Sequence, residues 1–243
     1  MMKNKVLVSA DAYGKTKGSL GYWRNHRNKL DELYKSERFF LEPALKQVTS
    51  VLDIGCAAGG SYNFCKEANN SIKYKGIDIS NNLIQIAKSR YPKVDFLHYD
   101  GKTIPFKENE FDLVFSIGVL HHLLHWKEMI KNIVSCCNQF AIFDLRLTSN
   151  ETLFDSSKYF QKIAFGEKWD NQTVIPYIVI NAQEFINFIT ETFDNGSPRV
   201  QSYGYYSKPT HLSNIPYEKI YMCCLQIKKY SKNPGVFVDL QDN

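Results

Sequence analysis

The sequence predicts a doubly wound α/β fold built on a seven-stranded, mainly parallel sheet. Three observations lead there. From residue 50 to residue 147, short apolar strands alternate with helical stretches of about 10–15 residues, the pattern of repeated βαβ units. The first of these strands runs straight into a glycine-rich turn, Gly55-Cys56-Ala57-Ala58-Gly59-Gly60. Two β-prone stretches near the end, 200–207 and 219–229, raise the strand count from five to seven.

Each element can be justified in order. Residues 18–49 carry apolar or aromatic side chains at helical spacing, from Leu20 and Trp23 to Leu45 and Val48. Pro43 is expected to divide this region into two helices. Val51-Leu52-Asp53-Ile54 is the first strand, and Gly59-Gly60 open a helix to about Ala68. Residues 74–79 form the second strand; Ser80 is an N-cap for a helix that ends near Arg90, before Pro92. Residues 94–99 and 111–116 are the third and fourth strands. A helix over about 122–136 and a fifth strand over 139–147 follow. Beyond residue 147 the alternation lapses. A short helix is expected near 157–165, and Asn181-Ala182-Gln183-Glu184 has the spacing of a capping box for a helix to about Phe193. Asn195-Gly196 reads as a turn, and the tail after Pro234 as frayed.

Composition narrows the function. A chain of 243 residues suits one domain, and it buries enough surface to fold without a disulfide or metal. Hydrophobic residues at 44% and charged residues at 23% exclude a disordered chain. No apolar run approaches the roughly 20 residues that span a bilayer. The apolar stretch near the start is too short for a signal peptide, so a cytoplasmic protein is expected. The net charge of +5 comes from scattered lysines without a basic block, which argues against a nucleic-acid partner. Of six cysteines, four fall in the adjacent pairs Cys136-Cys137 and Cys223-Cys224, and no Cys-x-x-Cys occurs. That pattern excludes zinc ribbons and thioredoxin-like redox motifs and fits reduced, buried thiols; no metal site is expected.

The chemistry concentrates in Val51-Leu52-Asp53-Ile54-Gly55-Cys56-Ala57-Ala58-Gly59-Gly60. A glycine turn after the first strand of a parallel sheet lets a ligand approach the backbone. The spacing does not match Gly-x-Gly-x-x-Gly. Asp53, just before the turn, is poor company for a pyrophosphate and suits a cationic ligand. Further along stand Gly76-Ile77-Asp78-Ile79-Ser80, Asp100-Gly101, Pro105-Phe106 ahead of Phe111-Asp112-Leu113-Val114, and Ser116-Ile117-Gly118-Val119-Leu120-His121-His122-Leu123.

As an ordered series over about residues 45–147, these motifs resemble the class I S-adenosylmethionine (SAM)-dependent methyltransferases, of the small-molecule type. The resemblance implies SAM as cofactor, S-adenosylhomocysteine (SAH) as product, an antiparallel last strand and an N-terminal helical lid. It implies that Gly55, Cys56, Ala57 and Gly59 form the cofactor loop. It further implies that Asp78 holds the ribose hydroxyls, that Ile79 packs on the adenine, and that Asp100 and Gly101 lie beside the adenine amino group. Asp53 would order the loop or act on the methionine ammonium, and Ser116 opens the motif after the fourth strand. In the segment Gly21-Tyr22-Trp23-Arg24-Asn25-His26-Arg27, Tyr22 and Arg27 would meet the methionine carboxylate; the alternative is an ordinary amphipathic helix. Two departures stand out. Ala57 replaces a commoner glycine, which a negative φ would accommodate, and Ser135-Cys136-Cys137-Asn138 replaces a Lys-Pro-Gly-Gly turn.

The candidate catalytic residues are His121, His122, Asp144 and Arg146. Either histidine could serve as a base or simply as loop structure, with His125 and His211 as lesser candidates. Asp144 and Arg146 share one face of the fifth strand, so they pair with each other or with substrate. The motifs of DNA amino-methyltransferases and of cytosine-carbon methyltransferases are absent. A small polar metabolite accepting methyl on oxygen or nitrogen is the expected substrate, in a surface-sugar or secondary-metabolite pathway. An RNA or protein methyltransferase and a non-catalytic SAM-binding protein are the alternatives. The expected division is a cap over 1–49, a SAM half over 50–147, an acceptor-pocket insertion over 148–217 and a last strand and tail over 218–243. Residues 51–147 hold 12 of the 34 aromatics and residues 148–217 hold 13, so the surplus lies where an acceptor pocket is expected.

Overall fold

The computed structural model describes residues 6–7, 14, 17–164, 173–193 and 198–241. Strand β1 (Val6–Leu7) and helix α1 (Lys17–Asn25) precede helix α2 (Lys35–Leu45). The alternating core follows as β2 (Ser50–Ile54), α3 (Ser61–Ala68), β3 (Lys73–Asp78), α4 (Asn81–Arg90), β4 (Asp95–His98), β5 (Phe111–Ser116), α5 (Trp126–Cys136) and β6 (Cys137–Thr148). The remainder comprises β7 (Phe160–Lys162), β8 (Thr173–Pro176), β9 (Ile180–Asn181), α6 (Ala182–Phe193), β10 (Arg199–Ser207), β11 (Ser213–Asn214), β12 (Ile220–Lys228) and β13 (Gly235–Gln241).

The main sheet runs β13-β10-β12-β6-β5-β2-β3-β4, with β9 added against β6. Strands β2 to β6 are parallel, while β12 is antiparallel to both neighbours. The seven expected strands are therefore present, with the reversed strand where it was expected. The sheet separates two apolar layers. On one face α2, α3 and α4 bury Leu41, Phe64 and Ile84; on the other α5 and α6 bury Trp126, Ile130 and Ile189. Strands covered on both faces are mostly apolar, and β2 is buried from Val51 to Ile54, with Asp53 its one charged residue. A second sheet, β1-β8-β7-β11, is built from the chain start and the insertion. Beneath it Leu153, Tyr177, Val179, Ile220 and Met222 form a small core of their own.

Four expectations are corrected. Pro43 lies inside α2; the helical region breaks earlier, where Arg27 adopts φ 55° and a single 3-10 turn covers Leu30–Glu32. Pro43 lies two residues before the end of α2, and its missing N–H leaves the carbonyl of exposed Phe39 without its helical partner. The helix expected at 157–165 is a turn at Asp155–Tyr159 followed by β7, which gains partners from β8 and β11. Long-range pairing overrides local propensity there. The helix expected at 122–136 starts at Trp126, after a 3-10 turn at Leu120–His122. The tail after Pro234 is not frayed: β13 pairs in parallel with β10 from Arg199↔Gly235 to Tyr205↔Gln241. The Asn195-Gly196 turn and Phe165 lie outside the described residues.

Ser80 caps α4 by accepting from Leu83 N at 3.4 Å. Asn181 Oδ1 caps α6 by accepting from the amides of Gln183 and Glu184. Glu184 does not reach back to close the box; Thr152 does so, its hydroxyl donating to Glu184 and accepting from Asn181 N. All six cysteines are free and buried. No helix among the described residues is long and apolar enough to cross a membrane. Among the same residues no cluster of His, Cys, Asp or Glu is arranged to hold a metal ion.

Candidate active site

The strand order reverses around β2, which has β3 on one side and β5 on the other. Ligands of open α/β sheets bind at the carboxyl ends of the strands at such a point. A cavity of about 890 Å³ lies there. Gly55 lines it with φ +85°, and a β-carbon at this position would collide with Val119. Ala57 follows with φ 47°, not the negative value expected. It is held in this left-handed conformation because its amide donates to Asp78 Oδ2 at 2.9 Å. Asp78 Oδ1 accepts from Ser80 N at 2.8 Å, so one carboxylate at the end of β3 ties down two loops while lining the cavity. Ile79 and Gly101 close the next part of the wall. Gly101 has φ +78°, and a β-carbon there would sit 3.0 Å from Ile79 Cδ1.

Several expected cofactor residues do not line this cavity. Asp100 is exposed, and its Oδ1 accepts from the amides of Lys102 and Thr103, both at 2.8 Å. It shapes the turn that presents Gly101. Gly59 packs under the loop against Phe96 and Ala87. Ser116 is buried and donates to Ile54 O at 3.0 Å, joining the ends of β5 and β2. Asp53 and Cys56 are buried behind the loop, bordering a separate cleft of about 30 Å³ with Trp23 and Arg27. Asp53 accepts from Tyr74 Oη at 2.6 Å, and burial pushes its carboxyl up to about 7 against the Tyr74 and Ser61 hydrogen bonds.

The lid supplies Tyr22, Trp23, His26 and Arg27 to the cavity wall. Tyr22 stacks on His26 with ring centroids 4.6 Å apart. Burial and the Arg27 charge lower His26 to about 4. Arg27 is fixed by Glu37, a residue that sequence reasoning missed. Glu37 Oε1 accepts from Arg27 Nη2 at 2.8 Å and Oε2 from Tyr34 N at 3.0 Å. Burial raises Glu37 to about 7, with Arg27 opposing the shift. The only sequence signal was an acidic residue three positions after Tyr34, and tyrosine is not a usual capping residue.

From Arg27 a chain of contacts leads across the cavity floor. Arg27 lies over Gly118, close enough that a β-carbon there would meet Nη1 at 3.1 Å. Gly118 N donates to Asp144 Oδ1 at 2.6 Å, and Asp144 Oδ2 accepts from Arg146 Nη1 at 2.6 Å. Asp144 and Arg146 are both buried and do pair with each other. Only Arg146 lines the cavity, and its Nε has no hydrogen-bond partner.

His121 and His122 line the far half of the cavity with rings 4.0 Å apart. His121 is buried and its Nδ1 has no partner; burial, then Arg146, holds its pKa well below the usual histidine range. His122 Nδ1 lies 2.7 Å from Pro176 O. A carbonyl only accepts, so Nδ1 carries the proton. Burial lowers His122 to about 4 despite that bond. Ile178 N donates to His121 O at 2.8 Å, so two hydrogen bonds dock the insertion onto the histidine turn. The opposite wall comes from Gln161–Ala164, Tyr177, Tyr205 and the loop from Ser207 to Leu212, which includes His211. His125 lies off the cavity, bonded to Gly101 O at 3.0 Å.

Residues 51–139 match a family model described as a methyltransferase domain. A phthiotriol/phenolphthiotriol dimycocerosates methyltransferase of Mycobacterium tuberculosis is 27% identical over 86 residues, 35% of this chain and 32% of that protein. The chain thus aligns with about a third of the length of that curated relative. Among solved structures, a SAM-dependent methyltransferase of Methanosarcina mazei has a TM-score of 0.58 at 16% identity, covering 82% of this chain and 99% of its own. The O-methyltransferase from a trans-AT PKS multienzyme of Brevibacillus brevis, in complex with S-adenosyl-L-homocysteine, has a TM-score of 0.56 at 14% identity, covering 79% and 72%. The cavity fits the cofactor of such proteins. Asp78 offers a carboxylate to vicinal hydroxyls, Ile79 and Gly101 border an apolar slot, and Arg27 offers a guanidinium to a carboxylate. Residues 51–139 are thus a segment that matches a methyltransferase domain, and the doubly wound sheet that carries it is similar in fold to solved SAM-dependent methyltransferases.

Proposed function

We propose that the chain transfers the methyl group of SAM to an oxygen or nitrogen of a small polar molecule held in the far half of the cavity. The observation that carries this is that one cavity is lined both by the loop and strand ends around Gly55 and Asp78 and by His121, His122 and Arg146. The cofactor, when bound, supplies a methyl on a sulfonium, open to in-line attack. Asp78, Ile79 and Gly101 hold its nucleoside end, and Tyr22 and Arg27 its amino-acid end. Residues 50–147 thus serve the cofactor, and the 148–217 insertion walls the acceptor.

Both histidines are uncharged near neutral pH, because their pKa values are depressed. They can therefore accept a hydrogen bond or a proton from the acceptor. Their weak basicity limits general-base catalysis, so holding the nucleophile in line supplies most of the rate. The relatives named for a dimycocerosate and the PKS O-methyltransferase support a small-molecule acceptor.

Calorimetric titration with SAH tests the cofactor part: saturable heat is expected, and none at about millimolar ligand would refute it. Transfer of labelled methyl into a metabolite extract, read by mass, tests the reaction.

A further inference from the structure

Resting on that methyl-transfer reading, we infer that the acceptor carries an anionic oxygen group, a carboxylate or a similar oxyanion, and that Arg146 anchors it. The first ground is the charge of the wall. Among the described residues, the far half of the cavity is lined by Arg146, Lys162 and Lys208 together with His121, His122 and His211. No Asp or Glu among the described residues lines that half; the one acid on the whole described lining is Asp78, at the cofactor end. Glu37 and Asp144 stand behind the wall and are engaged by Arg27, Arg146 and backbone amides.

The second ground is the state of Arg146. Its side chain is 6% exposed, and Asp144 meets it through Nη1 alone. Nε is buried without a partner, so the edge of the fork that includes Nε is unused. A buried donor left unmade is costly, and a guanidinium edge matches an oxyanion with two parallel hydrogen bonds. His121 Nδ1 is a second buried polar atom without a partner on the same wall. Both orphaned atoms belong to residues that line the cavity. The Arg146 charge is also among the causes that lower both histidines, so a positive field reaches the place where the nucleophile would lie. An anion on Arg146 offsets that field and makes the histidines better proton acceptors at the moment the acceptor is bound.

An anchor of this kind also sets orientation. Asp144 holds both Gly118 N and Arg146, so the acceptor's charged end is referenced to the backbone turn that Arg27 covers on the cofactor side. Lys162 and Lys208 lie farther out on the insertion wall, where they attract an anion toward the cavity.

The test separates acceptors by charge before any reaction. A small-molecule extract of the source organism is split by anion exchange at neutral pH into a retained, anionic fraction and an unretained one. Each is incubated with the full-length protein and methyl-labelled SAM. Label in products from the retained fraction is expected. Label only from the unretained fraction overturns the anionic acceptor while leaving methyl transfer intact. Label from neither fraction, in protein shown to bind SAH, counts against the methyl-transfer reading itself and removes this one with it. With a labelled acceptor in hand, Arg146→Lys should raise its KM at least about tenfold and leave the SAH Kd within about twofold. An unchanged KM overturns the assignment to Arg146. If that variant fails to fold, the double variant Lys162→Gln/Lys208→Gln should raise KM and steepen nothing in SAH binding, and an unchanged KM overturns the electropositive wall.

Discussion

The two halves of the cavity are built by different rules. On the cofactor side, apart from the helical lid, the key wall residues lie at or just past the ends of parallel strands: Gly55 after β2, Asp78 ending β3, Gly118 after β5. The sheet fixes these positions, and the sequence motif and the site nearly coincide. On the acceptor side the wall is assembled from residues 121–123, Arg146, 161–164, Tyr177, Tyr205, 207–212 and Met222, drawn from both sheets and the loops between them. The aromatic surplus of residues 148–217 illustrates the difference. Phe185 and Phe188 pack on Trp126, Tyr203 packs on Phe39, and Tyr206 stacks on Tyr221 at 4.1 Å. Of the described aromatics in that segment, Tyr177 and Tyr205 line the cavity. The surplus is mainly scaffold, and basic side chains give the acceptor wall its character.

The comparison is broken most forcefully at the floor the halves share. Arg146→Met leaves Asp144 buried and unpaired, so stability should fall by about 3–5 kcal/mol in chemical denaturation. A loss below about 1 kcal/mol would show that the pair is not a shared support.

Beneath the cofactor loop, Asp53 sets a pH signature. Its folded pKa of about 7 lies above the ordinary carboxylate value near 4. Between those values the folded protein holds a proton that the unfolded chain has shed. This contribution is fully present below the unfolded pKa and is lost as pH rises through about 7. Asp53→Asn should therefore flatten the stability difference between pH 4 and 7, by at most about 4 kcal/mol. Glu37 acts with the same sign, so comparing wild type with the single variant isolates Asp53. Parallel pH profiles would place the proton elsewhere.

Asp78→Ala sharpens the cofactor side. It removes the carboxylate proposed to hold the ribose and releases the amides of Ala57 and Ser80, so SAH affinity should weaken by about 1–3 kcal/mol, read by calorimetry. Tyr205→Ala on the other wall should leave that affinity within about twofold. If both variants shift SAH equally, the division by job fails. The smallest effect belongs to Ala57→Gly. Relief of the left-handed φ, less the added freedom of the unfolded glycine, should stabilise the protein by about 0.5–1 kcal/mol, visible as a higher Tm.

Legibility followed the range of the interactions. The strand ends and the Ser80 and Asn181 caps rest on patterns a few residues long, and the sequence displayed them; the reversal at β12 was implied by the family resemblance alone. The errors came where distant partners intervened. β7 and β13 became strands because β8, β11 and β10 were there to pair with them. Asp100 turned to its own loop because two amides were closer than the cavity. Ala57 kept a positive φ because Asp78, 21 residues away, holds its amide.

By itself, then, the sequence determined the doubly wound core and the glycine turn that opens onto the cavity, since backbone periodicity and glycine turns are local properties of the chain. Only tertiary structure brought Glu37 to Arg27 and Pro176 to His122, and it alone left Arg146 with one edge unpaired. Those relations depend on which side chains meet after the layers pack, and burial then magnifies each charge through the low dielectric around it.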